Sequence, residues 1–134
     1  MKPTNRKLAA IGFTLLSFIV VVIEILIIAK ILPYDIIGGG RLESYDAAMA
    51  TALFSIAILT LFSIIVLREA KPSKDNCRKI SLVFLWIIFG VLSLNIIANC
   101  LGETWFEKIV MTLIGVLQIG FILTIIKSRK TLRQ

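Results

Sequence analysis

Four long runs of hydrophobic residues, separated by short polar segments, set the pattern of this chain. Each run is close to the roughly 20 residues that a helix needs to cross about 30 Å of hydrocarbon. None of the runs alternates hydrophobic and polar residues as a barrel strand would, and an open strand edge is not viable in lipid. The pattern therefore predicts an all-α polytopic integral membrane protein, with four transmembrane helices forming an antiparallel bundle and a single domain, residues 1–134. The predicted helices cover about residues 8–30, 47–67, 80–101 and 107–126.

The composition agrees with this class. Hydrophobic residues make up 58% of the chain and charged residues 17%, whereas an ordinary soluble domain is about 45–50% apolar and about 25% charged. The chain has no histidine, so the commonest general base and the commonest metal ligand are missing. We expect no metal site and no cofactor. The formal net charge is +7, but no basic stripe is interleaved with aromatic residues, so we expect no nucleic-acid partner.

The basic residues are distributed unevenly between the two sides of the predicted bundle. Of the 15 Lys and Arg residues, all except Lys30, Arg41 and Lys108 lie in the N-terminal segment, the middle connection or the C-terminal tail. The positive-inside rule therefore predicts a protein of the plasma membrane with both termini in the cytoplasm. The expected partners include membrane lipid, with anionic headgroups contacting the basic cytoplasmic face.

The first predicted outer connection contains a glycine run followed by an arginine. Consecutive backbone amides in such a run can form an anion-binding nest. The alternative is a flexible turn with one solvated arginine. The residues of this candidate anion nest are Gly38, Gly39, Gly40 and Arg41.

Local signals predict how the helices begin and end on this outer side. Pro33 cannot extend the first helix without loss of a hydrogen bond, so that helix is expected to end near it. Ser44 is predicted as the N-cap of the second helix. Gly102 is expected to follow the third helix as its C′ residue, and Thr104 and Glu107 have the spacing of a capping box.

These outer elements also carry a resemblance to known proteins. The residues concerned are Gly39-Gly40-Arg41, Asn99, Gly102, Phe106-Glu107-Lys108 and Thr112. In this respect the chain resembles small four-helix bacterial membrane proteins that are usually left uncharacterised. The resemblance implies the same four-span fold and supplies no activity and no catalytic residues.

A single carboxylate, Glu24, interrupts the most hydrophobic part of the first run, and ionisable groups at such depth are rare and often functional. Counting from the start of the run places it about 24 Å from the cytoplasmic edge. Polar residues of the other three helices are expected at the same level, some with the i, i+4 spacing of one helix face. The alternative is simple hydrogen bonding between helices, at about 0.6 kcal/mol each. The candidate polar cluster comprises Glu24, Asn95, Asn99, Thr51, Ser55 and Thr112.

Three classes of function are compatible with these features. The first is a small integral membrane protein without catalytic activity, an accessory or interaction subunit that forms a homo-oligomer or binds another membrane protein. The second is a small dimeric proton-coupled transporter, similar in outline to the small multidrug resistance transporters, with Glu24 as the proton carrier. The third, a membrane-embedded enzyme, is disfavoured because the sequence offers no histidine and few acids outside the connections.

Overall fold

The computed structural model describes residues 3–36, 43–70 and 79–132. It contains four long helices, each long and apolar enough to cross a membrane, and no strand in the described ranges. The predicted class, an all-α bundle of four transmembrane helices, is confirmed. The helices are α1 (Pro3–Ile28), α2 (Tyr45–Glu69), α3 (Lys79–Cys100) and α4 (Thr112–Leu132); a short 3-10 turn (Tyr34–Ile36) follows α1, and a π turn (Glu107–Met111) precedes α4.

The boundaries of α1 differ from those predicted at both ends. The helix begins at Pro3, before the hydrophobic run, and it ends at Ile28, before Pro33. A Schellman motif causes this early end, since the Ile31 amide donates to the Leu26 carbonyl at 2.9 Å and the Lys30 amide to the Ile27 carbonyl at 3.0 Å. The motif requires a left-handed residue, which is usually glycine. Lys30 occupies that position, with φ at 62°.

The two ends of the bundle are held differently. At the end where α1 and α3 terminate, here called the hairpin end, the Tyr45 hydroxyl donates to the Ile28 carbonyl and the Lys30 ammonium lies 4.5 Å from the centre of the Tyr45 ring. Ser44 caps α2 as predicted, because its side chain accepts from the Ala47 amide at 3.2 Å. The opposite end, where α1 and α3 begin, is called the terminal end.

The helices do not pack equally around the bundle. α1 lies against α2 and α4, and α4 lies against α3, whereas α2 and α3 approach one another at only a few positions. Glycines bring two of the packed pairs close together. A Cβ at Gly12 would lie 2.6 Å from the Phe121 ring, and one at Gly115 would lie 2.7 Å from Ile96. The bundle is therefore tight around α4 and open between α2 and α3.

The hydrophobic core occupies the half of the bundle toward the terminal end. All four helices contribute to it, and the residues are Ala9, Ala10, Phe13, Phe62, Val66, Leu85, Ile88, Leu92, Ile122, Ile125 and Ile126. This half of the bundle is therefore filled by packed side chains from all four helices.

An arginine fixes the terminal end from within the bundle. Arg6 is buried, and its Nε donates to the main-chain carbonyl of Glu69 at 2.6 Å. Glu69 is the last residue of α2, and the final carbonyls of a helix have no partner within the helix and carry partial negative charge. Arg6 therefore ties the start of α1 to the end of α2, a role that the charge pattern alone did not predict.

Replacement of Arg6 by glutamine is expected to destabilise the bundle by roughly 1.5–3 kcal/mol, the usual contribution of a hydrogen bond to a charged group. Lys7 is the matched control, because it is exposed on the same turn, and Lys7→Gln should change stability by less than about 0.5 kcal/mol. Denaturation in detergent micelles, followed by circular dichroism, measures both. Equal stability of the two variants would contradict the capping role.

Candidate functional site

A cavity of about 620 Å³ lies between α2 and α3 in the half of the bundle toward the hairpin end. We call it the α2–α3 cavity. Residues of α2 and α3 form its walls, while Val20 and Glu24 of α1, with Gly115 and Gln118 of α4, contribute to its floor. Phe54 of α2 and Leu94 of α3 are exposed at its edge. The cavity therefore opens sideways, toward the surface that faces lipid in a membrane.

Glu24 contributes a buried carboxylate to this cavity, with only 6% of its surface exposed. The hydroxyl of Ser55, on α2, donates a hydrogen bond to the carboxylate. The second oxygen, Oε2, is buried and has no hydrogen-bond partner among the residues that the structure describes. The carboxylate of Glu24 is thus positioned by Ser55, and its Oε2 atom is available to accept a further hydrogen bond.

Asn99 contributes an unpartnered donor to the same cavity. The residue is 9% exposed, lies in the last turn of α3 and lines the α2–α3 cavity. Its Nδ2 is buried without a hydrogen-bond partner in the described part of the chain. A buried polar group left in this way costs about 1–3 kcal/mol. A guest that bonded to Asn99 and to Glu24 would recover part of that cost.

The other predicted members of the polar cluster differ in burial and in whether they line the cavity. Thr51, Ser55 and Asn95 also line the cavity, but Thr51 and Asn95 are exposed, and the Thr51 hydroxyl donates to the Ala47 carbonyl of its own helix at 2.9 Å. Thr112 does not line the cavity, and its hydroxyl donates to the Glu107 carbonyl at 3.3 Å. The structure thus brings together Glu24, Ser55, Asn95, Asn99 and Thr51.

Glu107 is a cavity residue that the sequence did not reveal. It was predicted to pair with Thr104 as a cap, and it does so, since the Glu107 amide donates to the Thr104 hydroxyl at 3.4 Å and that hydroxyl donates to Glu107 Oε2 at 3.1 Å. However, the side chain is only 3% exposed and lines the α2–α3 cavity. No feature of the capping pattern distinguishes a buried glutamate from a solvated one.

The backbone around Glu107 is unusual. Glu107 begins the π turn, an irregularity that is rare in helices and frequent at functional sites. Gly102 leaves room for its carboxylate, because a Cβ there would lie 2.6 Å from Glu107 Oε2. The φ of Gly102 lies outside the left-handed range, so this glycine leaves space beside Glu107 and does not adopt the left-handed conformation typical of a C′ glycine.

Most other polar side chains of the spans are satisfied within the bundle. The Gln118 amide donates to the Ser17 hydroxyl at 2.9 Å, which joins α4 to α1 at a buried position. Hydroxyls of Thr14, Thr60, Ser93 and Thr124 donate to the carbonyl four residues earlier in their own helices. These groups need no functional explanation, which leaves the cavity residues as the candidate site.

One of the sequence predictions, the candidate anion nest of Gly38, Gly39, Gly40 and Arg41, falls on residues outside the described ranges. Cys100, at the end of α3, is a free and exposed cysteine. Within the described ranges, no group of three or more His, Cys, Asp and Glu side chains could hold a metal ion.

The cavity has a definite chemical character. Two carboxylates, Glu24 and Glu107, line it, and none of the described residues around it is Lys or Arg. Hydrophobic side chains such as Phe54, Ile58 and Leu92 cover much of the remainder. The arrangement can hold a hydrophobic molecule and present hydrogen-bonding groups to its polar end.

Comparisons of the chain with protein-family models, with curated proteins and with solved structures found no match.

Proposed function

We propose that this protein is a non-catalytic, membrane-embedded binding subunit that holds an amphipathic molecule in the α2–α3 cavity. One observation carries the proposal: a cavity open toward lipid contains buried polar atoms, Glu24 Oε2 and Asn99 Nδ2, that have no partner among the described residues. Its volume of about 620 Å³ falls in the range of small-molecule sites, about 300–1,000 Å³. Such a site suits an accessory role better than a catalytic one, because the sequence has no histidine to serve as a base.

The proposal includes a location. We place the protein in the plasma membrane with both termini in the cytoplasm, so that the terminal end is cytoplasmic and the hairpin end is outside. The support is the distribution of Lys and Arg described above. The same charges would bring anionic headgroups to the cytoplasmic face. A partner subunit or a second copy of the chain would contact the remaining apolar helix surfaces.

Single cysteines test this orientation in a background with Cys77→Ser and Cys100→Ser. Glu103 is exposed near the hairpin end and Asn5 is exposed near the terminal end. A membrane-impermeant maleimide should label Glu103→Cys in intact cells and Asn5→Cys only after the cells are permeabilised. The reverse pattern would show that the bundle is inverted.

Binding can be followed at a methionine inside the cavity. Met111 lines the α2–α3 cavity and Met49 of α2 does not. In bilayer nanodiscs of phosphatidylcholine, dodecylamine, dodecanol or dodecanoate is added to protein that carries ¹³C-labelled methionine methyl groups. At least one of these single-chain amphiphiles should shift the Met111 resonance and leave that of Met49 in place.

The matched variants are Ala98→Trp and Ala57→Trp. Both alanines are exposed, but Ala98 of α3 lines the cavity and Ala57 of α2 does not. A tryptophan at position 98 fills space at the cavity. The affinity for the amphiphile, measured from the shift of the Met111 resonance, should therefore fall at least about tenfold, a loss of roughly 1.4 kcal/mol in binding free energy. Ala57→Trp should retain the response. If none of the three amphiphiles moves the Met111 resonance, the binding role is wrong.

One observation favours the second candidate function, a dimeric proton-coupled transporter. Glu24 is a buried carboxylate of a transmembrane helix that lines a cavity, and such groups often mark proton and substrate pathways. A transporter would have to move its substrate across the bilayer, whereas a binding subunit would only retain it.

Proteoliposomes separate these two functions. Vesicles with an imposed proton gradient are mixed with radiolabelled dodecyltrimethylammonium, whose fixed charge prevents it from carrying protons itself. For a binding subunit, we expect saturable binding without gradient-driven accumulation. Accumulation that depended on the gradient and disappeared in Glu24→Gln would instead establish the transporter.

A further inference from the structure

The two unpartnered polar atoms of the α2–α3 cavity differ in their hydrogen-bonding character. Glu24 Oε2 can accept a hydrogen bond and Asn99 Nδ2 can donate one, and neither atom has a partner in the described part of the chain. Both residues are more than nine-tenths buried and line the same cavity. A guest that satisfies both must therefore carry a donor and an acceptor at its polar end.

The charge of the cavity narrows the choice of donor. Glu24 and Glu107 supply carboxylates, and no Lys or Arg is among the described residues that line the space. Glu107 already accepts a hydrogen bond from the Thr104 hydroxyl, while Ser55 donates to only one side of Glu24. A positively charged donor therefore complements this site better than a neutral one, because hydrogen bonds between charged groups are about twice as strong as neutral ones.

The shape of the cavity indicates what the nonpolar part of the ligand should be. The space extends from Glu24 and Asn99 toward Phe62 and Gln118, and hydrophobic side chains from α2 and α3 form its walls. Phe54 and Leu94 at its edge are highly exposed, at 70% and 69%. A single hydrocarbon chain can enter between them from the bilayer, with its polar end at the hairpin end of the bundle.

We propose that the α2–α3 cavity binds a single-chain amino alcohol, an amphiphile with an ammonium group and a neighbouring hydroxyl. The ammonium donates to Glu24 Oε2, the hydroxyl oxygen accepts from Asn99 Nδ2, and the hydrocarbon chain lies between α2 and α3. This inference rests on the binding role proposed above and adds the chemical class of the ligand.

The test compares 2-aminododecan-1-ol with dodecylamine and dodecanol, each at equal mole fraction in phosphatidylcholine nanodiscs, with the Met111 methyl resonance as the readout. The expected order of affinity is amino alcohol, then amine, then alcohol. Glu24→Gln should weaken binding of the amino alcohol by about tenfold or more, because a charged hydrogen bond is lost. It should leave the affinity for dodecanol nearly unchanged, which also shows that the variant is folded.

Two further variants test whether Glu24 and Asn99 themselves bind the ammonium and the hydroxyl of the ligand. Glu103→Gln removes the same charge from an exposed loop position near the hairpin end, and it should leave the affinity for the amino alcohol within about twofold, since exposed charges are screened. Asn99→Ala should abolish the advantage of the amino alcohol over dodecylamine, while the amine keeps its sensitivity to Glu24→Gln.

The outcomes distinguish this inference from the binding role itself. If dodecanol moves the Met111 resonance as effectively as the amino alcohol, and Glu24→Gln changes neither response, the ligand class is wrong although the cavity still binds. If Glu103→Gln weakens binding as much as Glu24→Gln, surface charge and not the cavity selects the amine, which also overturns the assignment. If no probe moves the Met111 resonance, both proposals fail.

Discussion

Polar groups within hydrocarbon must find their hydrogen-bond partners inside the protein, because lipid offers none. In this bundle the rule is met at most polar positions by local means. Hydroxyls such as those of Thr60 and Ser93 bond to carbonyls of their own helices, and Gln118 bonds to Ser17 across the α1–α4 contact. Two buried atoms that have no partner in the described part of the chain, Glu24 Oε2 and Asn99 Nδ2, lie in the same cavity. Their coincidence carries more weight than the presence of a carboxylate in a transmembrane helix.

The same constraint explains how the two ends of the bundle are built. Arg6 supplies a donor to the last carbonyl of α2 at the terminal end, and Tyr45 supplies one to the last carbonyl of α1 at the hairpin end. Both contacts satisfy helix termini and also join α1 to α2. Hydrogen bonds thus join α1 to α2 at both ends of the bundle, while α2 and α3 have few close contacts. The cavity lies between α2 and α3.

The position of the hydrophobic core has a consequence for binding. Residues from all four helices close the terminal half, among them Phe13, Val66, Leu85 and Ile125. Side-chain packing in that half joins the four helices, while α2 and α3 have few close contacts. The glycines that draw helices together, Gly12 and Gly115, lie on the α1–α4 and α4–α3 contacts. Close packing around α4 and an open α2–α3 side are therefore two aspects of one arrangement.

Hydropathy determined the number of helices and the fold class, because the length of an apolar run is a local property of the sequence. Local capping signals were equally readable, as Ser44 and the pair Thr104 and Glu107 confirm. The sequence also placed Glu24 near Asn99, although the proposed role of this cluster stays a prediction. The order of helices around the bundle, the burial of Arg6 and Glu107, and the cavity itself were decided only by the tertiary structure. The physical reason is that each helix is apolar on nearly every face, so no amphipathic stripe reveals which face packs inward.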